Sequence, residues 1–223
     1  MTTPALKYHA VISELFAENC YVAHLTDRQE CIVVDPGLDP AKILHLIKDA
    51  NLTPVAILNT HGHSDHIAGN EAIKARWPDC ELLIGELEAD KLTDADKNLS
   101  APFGMPLVSI PPDRTLADGE EIDVAGIKLT TRLTPGHSTG HVVFVYQEDS
   151  PATVFVGDVI FQGSVGRTDF PDGSFDQLAA SIRDTLFTLP DDTVLLSGHG
   201  PPTTVGIEKQ MNPYVGQNAN GGY

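Results

Sequence analysis

Apolar residues in the first third of the chain alternate with polar ones or form short blocks, a pattern that predicts strands. Residues 7–26 and residues 30–35 carry this pattern, and the second block ends at a Pro-Gly turn. We expect three strands of an antiparallel sheet here. A helix is predicted to begin after Asp39, where an N-cap residue precedes a proline, and to cover the sheet with one apolar face. That face carries Ile43, Leu44 and Ile47.

A run at residues 54–60 that is nearly all apolar is typical of a strand that is buried on both faces. The pattern after it predicts a helix over residues 67–77, which Pro78 ends, and then a short strand over residues 80–84. Between residues 86 and 106 the chain is polar. We expect a short helix there, followed by a mobile loop that borders a functional site.

The second half of the chain returns to strand patterns, separated by turns such as Asp118-Gly119. An amphipathic helix is predicted over residues 174–186 by the spacing of its leucine and isoleucine residues. We expect one domain over residues 1–210 and a flexible C-terminal tail over residues 211–223. The predicted strands lie around Val108 and at residues 122–124, 127–133, 142–146, 152–157 and 192–196.

The composition fits a protein that folds around a core of its own. A chain of 223 residues with 41% hydrophobic side chains can bury such a core. The three cysteines are widely spaced and include no CxxC pair, which favours buried free thiols in a reducing compartment. The first 20 residues lack a basic start and an apolar block, and no run approaches the ~20 apolar residues of a membrane helix. We therefore expect a cytoplasmic protein without a membrane partner.

The charge of the chain limits its partners. Its 31 acidic and 14 basic side chains give a formal net charge of −17 at pH 7, and no local basic patch stands out. Such a chain repels nucleic acid, so we expect no nucleic-acid partner. An anionic substrate would need cations close to it, which a pair of divalent metal ions and an arginine would supply.

The segment Thr60 to His66 packs four potential metal ligands into six residues, directly after an apolar run. These ligands are His61, His63, Asp65 and His66. The first three are spaced two apart, with Gly62 and Ser64 between them, so alternate side chains can converge on one side of an extended loop. A polar loop that is rich in histidine by chance is a poor explanation of this density. The segment therefore predicts one part of a metal site.

Four predicted strands end in a residue of this kind, namely His61, His137, Asp158 and His199. The last three each follow a glycine, which permits a tight turn that a larger side chain would obstruct. Ligands at the same end of neighbouring strands can meet at one edge of the fold. The combined set of five histidines and two aspartates suits zinc, iron or manganese, and it exceeds the needs of one tetrahedral ion. Two divalent metal ions that share a carboxylate are the economical interpretation.

This motif, with His61, His63, Asp65 and His66 followed by His137, Asp158 and His199, resembles that of the metallo-β-lactamase superfamily. Within the superfamily it is similar to the glyoxalase II (hydroxyacylglutathione hydrolase) branch, over nearly the whole chain. The resemblance implies an α/β fold, a four-layer αββα sandwich of two similar halves with the site along one edge. It also implies that His61, His63 and His137 hold one metal, that Asp65, His66 and His199 hold the other, and that Asp158 bridges them.

The leading hypothesis is hydrolysis of a small-molecule thioester such as S-D-lactoylglutathione by a metal-bridged hydroxide, which Asp65 would orient. Glyoxalase II enzymes bind glutathione through basic residues of a C-terminal helical domain, whereas Lys209 is the one basic residue after His199 here. We therefore expect either weak glutathione binding or another small thioester as substrate. Arg167 is a candidate to contact a substrate carboxylate, or else it pairs with a neighbouring aspartate and fixes its loop.

Other functions use the same residues. A single Fe(II) held by His61, His137 and Asp158 would form a two-histidine, one-carboxylate triad, and the segment at residues 163–170 is also similar to that of persulfide dioxygenases. A nuclease or lactonase of the same superfamily is a third possibility, although the net charge disfavours nucleic acid. A binding module without activity fits worst, because all seven ligand positions are intact. The oligomeric state is left open.

Overall fold

Two six-stranded sheets pack face to face in the computed structural model, which describes residues 4–219. The first sheet has the same order in space as along the chain: β1 (Leu6–Ile12), β2 (Asn19–Leu25), β3 (Glu30–Val34), β4 (Thr53–Asn59), β5 (Glu81–Gly85) and β6 (Arg114–Leu116). The remaining strands are β7 (Glu121–Val124), β8 (Ile127–Leu133), β9 (Val142–Tyr146), β10 (Thr153–Gly157), β11 (Ile160–Phe161), β12 (Ser164–Val165), β13 (Val194–Ser197) and β14 (Thr203–Thr204). The hairpin of β11 and β12 stands apart, and the others form the second sheet in the order β14-β13-β10-β9-β8-β7.

Helices lie on the outer faces of both sheets. The α-helices of the described residues are α1 (Pro40–Asp49), α2 (Ser64–Ile67), α3 (Asn70–Arg76), α4 (Phe175–Asp184) and α5 (Val205–Met211). Two 3-10 helices, Glu86–Thr93 and Leu186–Thr188, complete the set. The helix α1 begins at the predicted proline, but Asp39 does not cap it with its side chain. The Asp39 carboxylate instead accepts hydrogen bonds from the Glu14 backbone N–H (2.8 Å) and the Lys42 ammonium (3.0 Å).

Three apolar clusters hold the layers together. The cluster between the sheets includes Leu58 of the first sheet and Phe144 and Phe155 of the second, all fully buried. A second cluster packs the outer face of the first sheet against α1 and α3, and a third packs the outer face of the second sheet against α4 and α5. The neighbouring residues Ile57 and Leu58 of β4 belong to different clusters, because successive side chains of a strand point to opposite faces. The predicted four-layer αββα sandwich is thus confirmed, as is the burial of β4 on both faces.

The predicted helix over residues 67–77 is instead two short helices, α2 and α3, that are separated near Gly69. The Gly69 N–H donates to the Pro36 carbonyl at 2.7 Å, and a Cβ at position 69 would lie 2.9 Å from that oxygen. The helical hydrogen-bond pattern is therefore interrupted where the chain packs closely against the Pro36-Gly37 turn. The first of the two helices, α2, begins at Ser64, so His66 lies inside a helix.

The predicted strand around Val108 is wrong, because the edge strand β6 lies further on, at Arg114–Leu116. Residues 105–112 have no regular structure, and Val108 is exposed. This segment contains three prolines, which lack the N–H that a strand donates to its neighbour. The prediction rested on the apolar pattern alone and did not take these missing N–H groups into account.

The first part of the predicted tail packs onto the domain. The buried Asn212 side chain donates to the Ser164 carbonyl at 2.9 Å and to Glu208 Oε2 at 2.8 Å, and Val215 is buried in the third apolar cluster. The domain boundary at residue 210 stays a prediction, and residues 220–223 of the predicted tail lie outside the described residues.

Two further features bear on the sequence-based expectations. All three cysteines are buried and free, as predicted. Within residues 4–219, no helix combines the length and the apolar character that crossing a membrane requires. The expected cytoplasmic location stays a prediction.

Candidate metal centre

The seven candidate ligands meet at one edge of the two sheets, in the loop and the short helix α2 that follow β4 and in the loops that follow β8, β10 and β13. The first trio consists of His61, His63 and His137, and the second trio consists of Asp65, His66 and His199. Within each trio, one nitrogen or oxygen atom of every side chain lies within 4.8 Å of the others. Each trio combines residues that follow β4 with one residue from the second sheet. Neither of these two trios is complete within one sheet. A third group of potential ligands, Asp35, His61 and His66, follows strands of the first sheet alone, but its Asp35 carboxylate already accepts hydrogen bonds from Thr60 and from His66 Nδ1.

Asp158 lies between the two trios. Its Oδ1 is 3.4 Å from His66 Nε2, and its Oδ2 is 3.4 Å from His199 Nε2 and 3.7 Å from His137 Nε2. A register shift where β10 pairs with β13 falls between Phe155 and Gly157, directly before this aspartate. Such bulges redirect a strand, and here the shift coincides with the point where the chain places the Asp158 carboxylate between the two trios.

Hydrogen bonds fix which ring nitrogen faces the site in four of the five histidines. The Thr60 hydroxyl donates to Asp35 Oδ2 (2.7 Å) and therefore accepts from His61 Nδ1 (3.0 Å). Nδ1 likewise donates to Asp35 Oδ2 in His66 (3.2 Å), to the Arg167 carbonyl in His137 (2.8 Å) and to the Phe16 carbonyl in His199 (3.1 Å). In the neutral form of each ring, which is the form that binds metal, Nδ1 carries the one proton and Nε2 presents its lone pair. These contacts are the usual support of metal-binding histidines.

The fit of a metal can be tested on the buried polar atoms of the described residues. Nε2 of His61 and of His66 and Oδ1 of Asp158 are buried without a hydrogen-bond partner. Nε2 of His63 is also buried without a partner, and its Nδ1 lies 2.9 Å from Nε2 of His137, whose proton is on Nδ1. Buried acceptors of this kind are costly unless they are satisfied. Divalent cations would satisfy them, and nitrogen and carboxylate ligands suit zinc, iron or manganese.

The electrostatics of the two trios differ. Burial lowers the pKa of His61 and of His63 well below the usual value, so both rings are neutral at pH 7, the form that binds metal. Burial also acts to lower the pKa of His66, but Asp158 and other neighbours outweigh it and raise that pKa well above the usual value. Burial opposes the shift of His199 in the same way, and Asp158 still raises its pKa to about 10. The second trio is therefore a place where positive charge is stabilised.

Three buried acidic residues near the site were not among the predicted site residues. Asp35 accepts hydrogen bonds from the Thr60 backbone N–H (2.7 Å), its hydroxyl and His66 Nδ1. The buried Glu18 carboxylate has no hydrogen-bond partner among the described residues, and the Glu88 carboxylate accepts from two backbone N–H groups. Asp35 follows β3 at the edge that carries the ligands, so the comparison of strand ends would have found it. Glu18 and Glu88 lie in polar segments that give no such signal.

His141 belongs to neither trio. Its Nε2 accepts a hydrogen bond from the Asp158 backbone N–H at 3.1 Å, and burial lowers its pKa well below the usual value. The neutral ring thus holds the backbone of Asp158 in place and is not directed at the site.

A cavity of about 190 Å³ opens onto the centre. Besides five of the ligand residues it is lined by the apolar side chains of Phe16, Leu99, Phe103 and Phe170. Arg167 also lines it, and the Nε and Nη2 atoms of this arginine donate to the Asp169 carboxylate at 2.7 Å each. The Arg167 guanidinium lies 4.2 Å from the centre of the Phe170 ring. The pairing of Arg167 with Asp169 is one of its two predicted roles, and its contact with a substrate stays a prediction.

Comparison with protein families and with curated proteins gives consistent results. The model of the family described as the metallo-β-lactamase superfamily matches residues 14–199. A probable metallo-hydrolase of Bacillus subtilis, YqgX, is 39% identical over 192 residues, which cover 86% of this chain and 90% of that protein. The hydroxyacylglutathione hydrolase GloC of Haemophilus influenzae is 35% identical over 203 residues, which cover 90% of this chain and 93% of that protein.

Solved structures share the fold over nearly the whole chain. The BLEG-1 B3 metallo-β-lactamase is 34% identical with a TM-score of 0.89, and the match covers 94% of this chain and 99% of that one. The protein TTHA1623, in a di-iron-bound form, is 33% identical with a TM-score of 0.81, and the match covers 92% and 99%.

Proposed function

Because the chain belongs to the metallo-β-lactamase superfamily, we propose that it is a metal-dependent hydrolase that cleaves small-molecule thioesters. Membership of this superfamily identifies the chain as a metallo-hydrolase, whereas its action on thioesters is our proposal. The observation that carries it is the meeting of two ligand trios at one shared carboxylate, Asp158. We propose that each trio holds one divalent ion and that Asp158 contacts both. When bound, two such ions supply a nucleophile from water at neutral pH and polarise a carbonyl.

Asp65 is the residue that we propose orients the attacking water. Its side chain is 20% exposed, and its Oδ2 lies 3.5 Å from His199 Nε2. It lines the cavity, so its carboxylate can accept a hydrogen bond from water there. A thiol leaving group has a pKa of about 8.5 and needs little help from a general acid. This low requirement suits a cavity whose lining, apart from the candidate ligands, consists of four apolar side chains together with Ser64, Asn98 and Arg167.

The apolar walls suggest how a substrate would lie. Phe16, Leu99, Phe103 and Phe170 can cover the acyl and thiol parts of a small thioester and exclude bulk water from the reacting carbonyl. Arg167 is the one lysine or arginine that lines the cavity in the described part of the chain. We propose it as the contact for a substrate carboxylate, such as one of those in glutathione. The name of the Haemophilus relative, hydroxyacylglutathione hydrolase, supports this substrate class.

The test is a hydrolysis assay after reloading with zinc, iron or manganese. We expect cleavage of S-D-lactoylglutathione or of other acyl thioesters, and loss of that activity in a chelator. Failure of every reloaded form to cleave any thioester would remove the proposal. Metal analysis of protein isolated without chelators is the companion measurement, with two ions per chain expected.

Hydrolysis of β-lactams is a second candidate, which is favoured by the 34% identity to the BLEG-1 enzyme over 94% of the chain. Nitrocefin in the same assay distinguishes it from thioester hydrolysis.

The alternative with a single Fe(II) on His61, His137 and Asp158 leaves the second trio without a role, which is why we place it behind hydrolysis. One iron per chain and oxygen consumption with glutathione persulfide would reverse that order.

A further inference from the structure

Glu88 connects the two loops that carry the first trio. It is fully buried in the 3-10 helix Glu86–Thr93. Its Oε2 accepts the Gly62 backbone N–H at 2.8 Å, and its Oε1 accepts the Gly140 backbone N–H at 2.9 Å. Gly62 lies between the first two histidines of the first trio, and Gly140 lies three residues after the third. One carboxylate therefore forms hydrogen bonds with a loop from each half of the molecule.

Lys91 extends this connection outward. Its Nζ lies 3.0 Å from Glu88 Oε1 and 2.6 Å from Asp172 Oδ2, and its side chain is 8% exposed. Hydrogen bonds that involve charged groups are shorter and stronger than neutral ones. We call the set of Glu88, Lys91 and Asp172, with the two glycine N–H groups, the Glu88 clamp.

The Glu88 clamp packs so closely that no side chain fits at Gly62 or at Gly140. A Cβ at Gly62 would lie 2.5 Å from Lys91 Cβ, and a Cβ at Gly140 would lie 2.5 Å from Leu87 Cβ and 3.0 Å from Glu88 Cγ. The 3-10 helix thus touches both loop backbones directly. A change at Glu88 is transmitted to these loops without an intervening side chain.

We propose that Glu88 is a positioning residue that sets the spacing of His61 and His63 from His137. The proposal rests on the ligand assignment in the proposed function. The clamp makes no contact with the Nδ1 atoms of the second trio, whose histidines are held by Asp35 and by the Phe16 carbonyl. Its effect is therefore concentrated at the first metal position.

The test is Glu88→Gln, followed by titration of the metal-free protein with cobalt(II) and with zinc against a chelator. A glutamine offers one acceptor oxygen, and its NH₂ group would face an N–H, so one of the two backbone bonds is lost. Loss of a hydrogen bond to the side chain of a ligand typically lowers metal affinity by roughly 10–100-fold. Because Glu88 acts through the backbone of the ligand loops, we expect a fall at the lower end of that range, about 10-fold, at one of two metal positions, with a changed cobalt absorption spectrum.

Glu208→Gln is the matched control. Glu208 is also fully buried, and it accepts hydrogen bonds from the Gly163 backbone N–H (3.0 Å) and the Asn212 amide (2.8 Å), on the outer layer of the second sheet. We expect this variant to lower the unfolding temperature while leaving metal affinity and the cobalt spectrum unchanged. The comparison separates positioning of ligands from general stability.

Two results would overturn the proposal: parental affinity and cobalt spectrum in Glu88→Gln, or equal loss of affinity in both glutamine variants. If Glu88→Gln does not fold, Asp172→Asn takes its place, because it loosens only the outer end of the clamp. A smaller fall in affinity is expected there, and an unchanged affinity would count against the clamp. Absence of metal binding in the parent chain would instead refute the ligand assignment.

Discussion

Thr60 is a single residue on which the orientation of the first trio depends. Its hydroxyl donates to Asp35 and accepts from His61 Nδ1, so it sets the direction of the His61 lone pair. We predict that Thr60→Val lowers metal affinity by roughly 10–100-fold. Competition with a chelator that reports free zinc measures the change.

Thr131 offers the matched comparison for Thr60. It is fully buried, and its hydroxyl has no hydrogen-bond partner among the described residues. Replacement by valine there removes the same atom without breaking a contact, so Thr131→Val should keep the metal affinity of the parent. Equal affinities in both valine variants would contradict the role of Thr60.

The cysteines give a residue-scale prediction about pH. Burial raises the pKa of Cys31 and of Cys80 to about 12, and it raises the pKa of Cys20 as well. The thiolate is the reactive form, and almost none is present at pH 8 when the pKa lies this high. We predict slow labelling by iodoacetamide at pH 8 in the native protein and rapid labelling of all three thiols in guanidinium. Mass spectrometry counts the labels, and fast native labelling would show that these residues are accessible.

At the scale of elements, the ends of strands carry the chemistry. Gly198 follows β13 and precedes His199, and a Cβ at this position would lie 2.3 Å from Asp158 Oδ1 and 2.8 Å from His66 Cε1. We predict that Gly198→Ala displaces the shared carboxylate and reduces bound metal, while the two sheets remain intact. Metal content measured by mass spectrometry, with circular dichroism as the check on the fold, tests this. Full metal content in the alanine variant would show that the loop can relax.

The elements also show what the sequence could and could not predict. Apolar runs such as that of β4 predicted buried strands, because burial on both faces demands continuous apolar residues. The ends of the predicted strands also located the loops that carry the candidate ligands, because residues at the same end of neighbouring strands can meet at one edge of the fold. The break at Gly69 and the displaced strand β6 depend on contacts with the Pro36 carbonyl and on missing proline N–H groups. Glu88 could not be found from its neighbours in sequence, since its partners are backbone groups 26 and 52 residues away.

At the scale of the whole molecule, metal binding should stabilise the fold, since each trio joins residues from both sheets. A ligand that binds only the folded state adds about 4 kcal/mol at a concentration 1,000 times its dissociation constant. For a domain of this size, each kcal/mol raises the unfolding temperature by roughly 2–4 °C. We predict that removal of metal with a chelator lowers the midpoint by roughly 10 °C and that added zinc restores it. Thermal denaturation with and without chelator measures the shift, and identical midpoints would contradict a structural contribution of the metal.

The arrangement of the trios has a consequence for biosynthesis. Residues 61–66 leave the ribosome early, yet the first trio lacks a ligand until residue 137 is made, and the second until residue 199. A nascent chain that has not reached residue 199 therefore cannot complete both trios. Occupation of both trios requires that residues from both halves of the fold have been made and have come together.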